Sequence, residues 1–135
     1  MDVNYFLNEN PLSEKLVREI APQTLAFVGD AVHTLFVRVK LVETCEEKTE
    51  ELHKKTSAQV RAKSQSMKVD KILEMLSEDE IYFYKRGRNV SSNNSAKNAS
   101  ILEYRRATGF ESLVGYLFLT AQYERLGEIL KKSEE

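Results

Sequence analysis

One cysteine, two prolines and five glycines in 135 residues leave little to punctuate this chain. Cys45 has no partner for an intrachain disulfide, and no Cys/His cluster has the spacing of a zinc site. It reads as a small side chain between helices in a reducing compartment. So few turn-forming residues argue against a many-stranded sandwich and for long helices. No apolar run approaches the roughly 20 residues needed to span a bilayer. The first residues, MDVNYFLNENPLSEK, lack the basic start and apolar stretch of a secretory signal. These absences predict a cytoplasmic protein with no membrane partner, built as a single domain over residues 1–135. A phosphate-binding loop is also missing, because no glycine-rich turn ends in Gly-Lys followed by Ser or Thr. The serines at 57, 64, 66, 91, 92 and 95 show no His/Asp arrangement that would support a serine hydrolase.

What is present is a soluble globular composition, 41% apolar and 30% charged. The net charge of −1 conceals an asymmetry. From His53 to Arg106 there are twelve Lys/Arg and six Asp/Glu, whereas the remainder carries eight basic and fifteen acidic residues. A basic segment in an otherwise acidic protein fits a localised anionic partner such as nucleic acid, and solvated helix faces fit it about as well.

The periodicity is helical throughout. Pro22 suits the first position of a helix running to about Val42. Its apolar residues cover more than one face, which predicts a helix at the centre of a bundle. A short helix near 49–55 and a longer one over about 57–76 follow. Ser77 and Glu80 form a capping-box pattern opening a helix that should stop at Gly87. A polar loop comes next, then an apolar helix over about 98–120 and a last helix ending in lysines. The expected architecture is an all-α bundle of six or seven helices.

Two carboxylates stand out. Asp30 lies in the apolar stretch LAFVGDAV, and Glu111 lies in the equally apolar GFESLVGYLFL. A buried acid requires a cation, a hydrogen-bond network or a raised pKa. A basic partner such as Arg38 or Arg105 for Asp30, or a lysine for Glu111, is the ordinary explanation for either acid alone. Both acids sit beside glycine, which lets helices approach closely, so the two can converge on one ion. Oxygen ligands without His or Cys companions suit magnesium. His33, three residues after Asp30, reads as a core histidine, and His53 as an exposed one. On helical spacing, Lys54, Arg61, Lys68 and Lys71 share much of one surface, with Lys63 to the side. Lys85, Arg86 and Arg88 form a second basic group, and Lys97 closes the polar loop. Such cations, with Ser, Asn and Gln among them, suit a double-stranded RNA read by shape and backbone.

These stretches resemble the ribonuclease III family. LAFVGDAV at 25–32 is similar to the family signature, and FESLVGYLFL at 110–119 to its second catalytic helix. LHKKTSAQVRAKSQ, KRGRN and YRRATGFE resemble the short branch called Mini-ribonuclease III, and the match runs over roughly 20–120 with the motifs in order. The resemblance implies an all-α endonuclease domain without a separate double-stranded-RNA-binding domain, active as a homodimer. It implies magnesium-dependent cleavage of double-stranded RNA leaving a 5′-phosphate and a 3′-hydroxyl, in maturation of the large-subunit (23S) ribosomal RNA precursor. Asp30 and Glu111 match the family's catalytic, metal-holding acids. Lys54, Arg61, Lys63, Lys68, Lys85, Arg86, Arg88 and Lys97 are the expected RNA contacts. Two further family carboxylates are replaced here by Ala26 and Thr108, which leaves the number of metal ions open. A ribosomal protein is carried as a candidate assisting partner. The alternatives are a non-catalytic RNA-binding helical module, in which both acids form core ion pairs, and a purely protein-binding one.

Overall fold

A computed structural model describes residues 7–90 and 100–135. Among these, seven α-helices form a bundle: α1 Glu14–Arg18, α2 Pro22–Thr44, α3 Thr49–Val60, α4 Ala62–Ile72, α5 Glu78–Arg88, α6 Ile101–Leu119 and α7 Tyr123–Ser133. A 3₁₀ turn, Leu73–Met75, joins α4 to α5. None of the described helices is long and apolar enough to cross a membrane. The all-α expectation holds, and the elements match it closely except at three places.

The first is α1, which periodicity did not reveal because five residues are too short to show it. Its N-cap Ser13 accepts from the Leu16 amide, and Val17 is fully buried. The second is the α3–α4 boundary. A single extended residue, Arg61 (φ −67°, ψ 157°), separates the two helices. The last carbonyls of α3 are taken up by α4 side chains: Ser64 Oγ donates to Ala58 O (2.6 Å) and Gln65 Nε2 to Val60 O (2.8 Å). The third is the centre of the bundle. That place belongs to α6, in which Ser112 to Leu117 are buried without interruption. Helices α2, α4, α5 and α7 pack around it. Helix α2 buries only the face carrying Leu25, Gly29, His33, Val37 and Leu41, and leaves Phe27 79%, Leu35 54% and Val42 68% exposed. Periodicity reports apolar faces, not which of them the same chain covers.

The ends of the helices are well secured. The capping box expected at Ser77 and Glu80 is present, and a second joins Ser100 to Glu103 at the start of α6. Buried Glu80 also receives Arg125 Nε (2.8 Å) and Nη2 (2.9 Å), and Arg125 reaches Met75 O, which ties α7 to the start of α5. Helix α6 ends in a Schellman arrangement: Gln122 N donates to Leu117 O, Ala121 N donates to Phe118 O, and Ala121 occupies the left-handed region at φ 59°.

The α2–α6 crossing is a backbone contact. A Cβ built on Gly29 would lie 1.8 Å from Glu111 O, and one on Gly115 would lie 2.0 Å from Leu25 O. No side chain fits at either position. Gly29→Ala is therefore expected to force the two helices apart and lower unfolding free energy by about 3 kcal/mol, measured by denaturant titration. Wild-type stability in that variant would contradict the close crossing.

Candidate active site

The crossing assembles the acids. Glu111 has its own carbonyl against Gly29, and Asp30 is the next residue along α2. Their side chains are neighbours. Burial, then hydrogen bonding to Asp30, then the Asp30 charge push the Glu111 carboxyl up to about 9, and Gln65 works in the opposite direction. The two acids are not alike, however. Asp30 is exposed, so the expectation of two sheltered carboxylates holds for Glu111 alone. Among the described residues, the salt bridges involve neither acid, and no cation contributes to the shift of Glu111. The ion-pair explanation that serves for an isolated core acid is thus not what this structure displays.

No group of three or more His, Cys, Asp or Glu side chains gathers among the described residues. Two carboxylates with an opening to solvent make a sparse oxygen site, which fits a hard, hydrated divalent cation better than one needing a full protein cage. A further observation supports that fit. The Oε1 atom of Gln65, a residue that counters the rise in the Glu111 carboxyl, is buried and has no hydrogen-bond partner among the described residues. The positions of the two absent family carboxylates carry nothing that replaces them: Ala26 is at the edge of the core, and Thr108 Oγ1 donates to Tyr104 O (3.1 Å).

His33 and Lys68 form a second buried polar group, His33 being three residues from Asp30. Lys68 Nζ lies 2.9 Å from His33 Nε2 and 3.2 Å from Glu134 Oε1, and His33 packs edge-on against Phe110. Burial and the neighbouring Lys68 charge bring the His33 imidazole down to about 3. Burial also lowers Lys68, against the opposing pull of Glu134. The imidazole is a core histidine as expected, although its Nδ1 is buried without a partner.

The expected RNA-contacting cations divide into three groups. Lys54, Arg61, Lys63 and Lys85 are exposed, and Arg88 is half-buried over the Tyr84 ring. Lys68 and Arg86 depart from expectation. Lys68 is 8% exposed and committed to His33 and Glu134. Arg86 donates to Ile20 O (3.0 Å), has a buried Nη1 and lies near the Tyr82 and Phe83 rings, so it joins α5 to the α1–α2 turn. The extended Arg61 breaks the helical register on which the shared surface of Lys54 and Lys68 depended. Lys97 lies outside the described residues. Gln65 was not anticipated as part of the site, since nothing in its local sequence separates it from Gln59.

A helical bundle with two acids brought together on its central pair of helices defines an all-α nuclease-type domain, and comparison with known proteins makes the class specific. The Ribonuclease III domain family matches residues 23–122, which include the whole crossing. Mini-ribonuclease 3 of Clostridium tetani is 47% identical over 131 residues, covering 94% of this chain and 84% of that protein. Mini-ribonuclease 3 of Enterococcus faecalis is 48% identical over 108 residues, covering 78% and 82%. The crystal structure of protein FN1578 from Fusobacterium nucleatum superposes with a TM-score of 0.77 at 29% identity, covering 85% of this chain and 92% of that one. The chain belongs to the ribonuclease III family, in its Mini-ribonuclease 3 branch, and is an endoribonuclease.

The buried histidine yields a pH prediction. With a folded pKa below the unfolded value, His33 binds its proton more readily in the unfolded chain. Its contribution is fully present above about pH 6.5 and is lost as pH falls toward the folded value of about 3. The expected slope is up to about 1.4 kcal/mol per pH unit. His33→Leu should flatten unfolding free energy between pH 6 and 4, on the order of that slope. An unchanged slope in folded His33→Leu would remove His33 as its source.

Proposed function

We propose that this protein is a magnesium-dependent endonuclease for double-stranded RNA, acting as a homodimer in maturation of the 23S ribosomal RNA precursor. The observation that carries the catalytic part is the convergence of Asp30 and Glu111 at a glycine-lined crossing with no basic partner among the described residues. The choice of the ribosomal precursor rests on the resemblance to the Mini-ribonuclease III branch.

Asp30 and Glu111 are the residues that hold the cation. Exposed Asp30 meets the scissile phosphate's surroundings from the solvent side, while sheltered Glu111 concentrates negative charge where water screens it less. A magnesium ion held there would supply Lewis-acid chemistry, lowering the pKa of a water and offsetting charge on the phosphate. Lys54, Arg61, Lys63, Lys85 and Arg88 hold the duplex backbone, which positions the RNA without reading its sequence. Selectivity then comes from A-form shape and 2′-hydroxyl contacts. The products carry a 5′-phosphate and a 3′-hydroxyl.

The homodimer is supported by the uncovered apolar face of α2. Phe27, Leu35, Val39 and Val42 are each at least 45% exposed along one side of the helix that also carries Asp30. Exposed apolar side chains grouped on one side of a helix are the kind of surface that marks an interface. A second copy would then bring two active sites to one cleft.

In a cleavage assay on long duplex RNA with Mg²⁺, Asp30→Asn and Glu111→Gln should each lose about 1,000-fold in rate, or about 4 kcal/mol of transition-state stabilisation. Duplex binding in EDTA should persist and fall steeply with salt. Wild-type protein that binds duplex and never cuts it, or either variant cutting normally, defeats the proposal. For the dimer, sedimentation should give twice the chain mass, and Phe27→Glu should shift it to monomer. A wild-type monomer at micromolar concentration refutes that part.

A further inference from the structure

We propose that Lys68 is a positioning residue for the active site: it holds the His33 ring that sets how α2 and α6 part beside Asp30 and Glu111. The inference rests on Asp30 and Glu111 being the cation-holding pair.

The buried face of α2 meets α6 at three successive turns. At Leu25 and at Gly29 the contact is between main chains, since a Cβ on Gly115 would lie 2.0 Å from Leu25 O and one on Gly29 1.8 Å from Glu111 O. One turn beyond Gly29 comes His33, fully buried, whose ring packs edge-on against Phe110 with centroids 5.0 Å apart and 85° between planes. Asp30 lies between the second and third of these turns, and Glu111 directly follows Phe110. The two glycine contacts hold the helices together but do not by themselves fix the angle between them. The rings at the third turn do. An imidazole fills a different thickness edge-on than flat, so its orientation sets the interval between the segments that carry the acids.

Lys68 provides that orientation. Its Nζ is 2.9 Å from His33 Nε2 and donates to Glu134 Oε1 at 3.2 Å, with only 10% of the side chain exposed. An ammonium can only donate, so Nε2 accepts and the ring is held through that nitrogen. His33 Nδ1 has no partner among the described residues, which leaves Lys68 as the polar hold on the ring. Stability does not account for the arrangement, because a buried charged pair is often matched or bettered by apolar side chains of similar volume. A phenylalanine at 33 with a methionine at 68 would fill much the same space and leave the ring free to turn. A polar chain running from the end of α7 through α4 to α2 instead gives the third contact one geometry.

The test uses the full chain with Lys68→Met, the double variant His33→Phe/Lys68→Met, and Asp30→Asn. Denaturant unfolding in EDTA reads stability, calorimetry with Mn²⁺ alone reads cation affinity, and cleavage of long duplex RNA with Mg²⁺ separates kcat from KM. Lys68→Met should lower kcat by about 10–100-fold and cation affinity by about tenfold, with KM held within about twofold. The double variant should show the same losses at wild-type or higher stability, whereas a merely structural role would restore activity along with stability. A folded Lys68→Met or double variant with wild-type kcat and cation affinity overturns the inference, as does a loss confined to KM. Where Lys68→Met does not fold, the double variant decides by the same readouts. The Asp30→Asn arm tells the two readings apart. If it binds cation and cuts like wild type, the active-site reading itself fails. If it loses both while the Lys68 variants keep both, only the role of Lys68 fails.

Discussion

The backbone contact between α2 and α6 is the constraint on which the rest of the molecule depends. Gly29 rests on the Glu111 carbonyl and Gly115 on the Leu25 carbonyl, at distances where any side chain would collide. Main chains this close leave no space for an apolar layer between them, so residues flanking the contact meet directly. That is how an acid on each helix comes to share one site. The same approach makes α6 the axis of the bundle, with Phe110, Leu113, Val114 and Leu117 filled in by the surrounding helices. Fold and the meeting of the acids thus draw on a single feature: Gly29 directly precedes Asp30, and Gly115 follows Glu111 by one turn.

A bundle of this size rarely admits polar groups to its interior without using them. Here α4 brings in three, Gln65, Ser66 and Lys68, and the first and last of them serve different neighbours. Gln65 donates to Val60 O, and Lys68 turns to His33 and Glu134. Each leaves a residual unsatisfied atom, Gln65 Oε1 in one case and His33 Nδ1 in the other. The second group links α2, α4 and the end of the chain, and reads as a structural tie. The first lies in the turn of α4 that follows the break at Arg61, with Nε2 held by Val60 O.

Helix α2 divides its apolar residues between two surfaces with different partners. One face, from Leu25 to Leu41, is consumed by α6 and its neighbours. The other, from Phe27 to Val42, meets solvent in the single chain. A helix that is apolar all round is usually buried all round. In this protein the second face stays open in the single chain, on the same helix that carries Asp30.

Much of this was legible beforehand because local interactions dictate it. Pro22, the Ser77–Glu80 box and the lysines of the last helix mark boundaries through backbone chemistry within a few residues, and those boundaries stand. The acids, too, were conspicuous, since a carboxylate in an apolar helix is costly wherever it lies. The capping box at Ser100 obeys the same local rule and was there to be read. What failed were inferences that carried a local pattern across a break or assigned it a neighbour. Lys68 and Arg86 look like surface cations by type, yet one is drawn to a buried imidazole and the other to the Ile20 carbonyl. Gln65 is indistinguishable from Gln59 until α4 is laid against α6. The chain by itself therefore determined the helices, their ends and the two unusual acids, because these follow from contacts within a few residues. Only the tertiary structure decided that the acids meet, that one is sheltered and the other open, and which polar side chains attend them, because those depend on how closely two glycine-bearing helices cross.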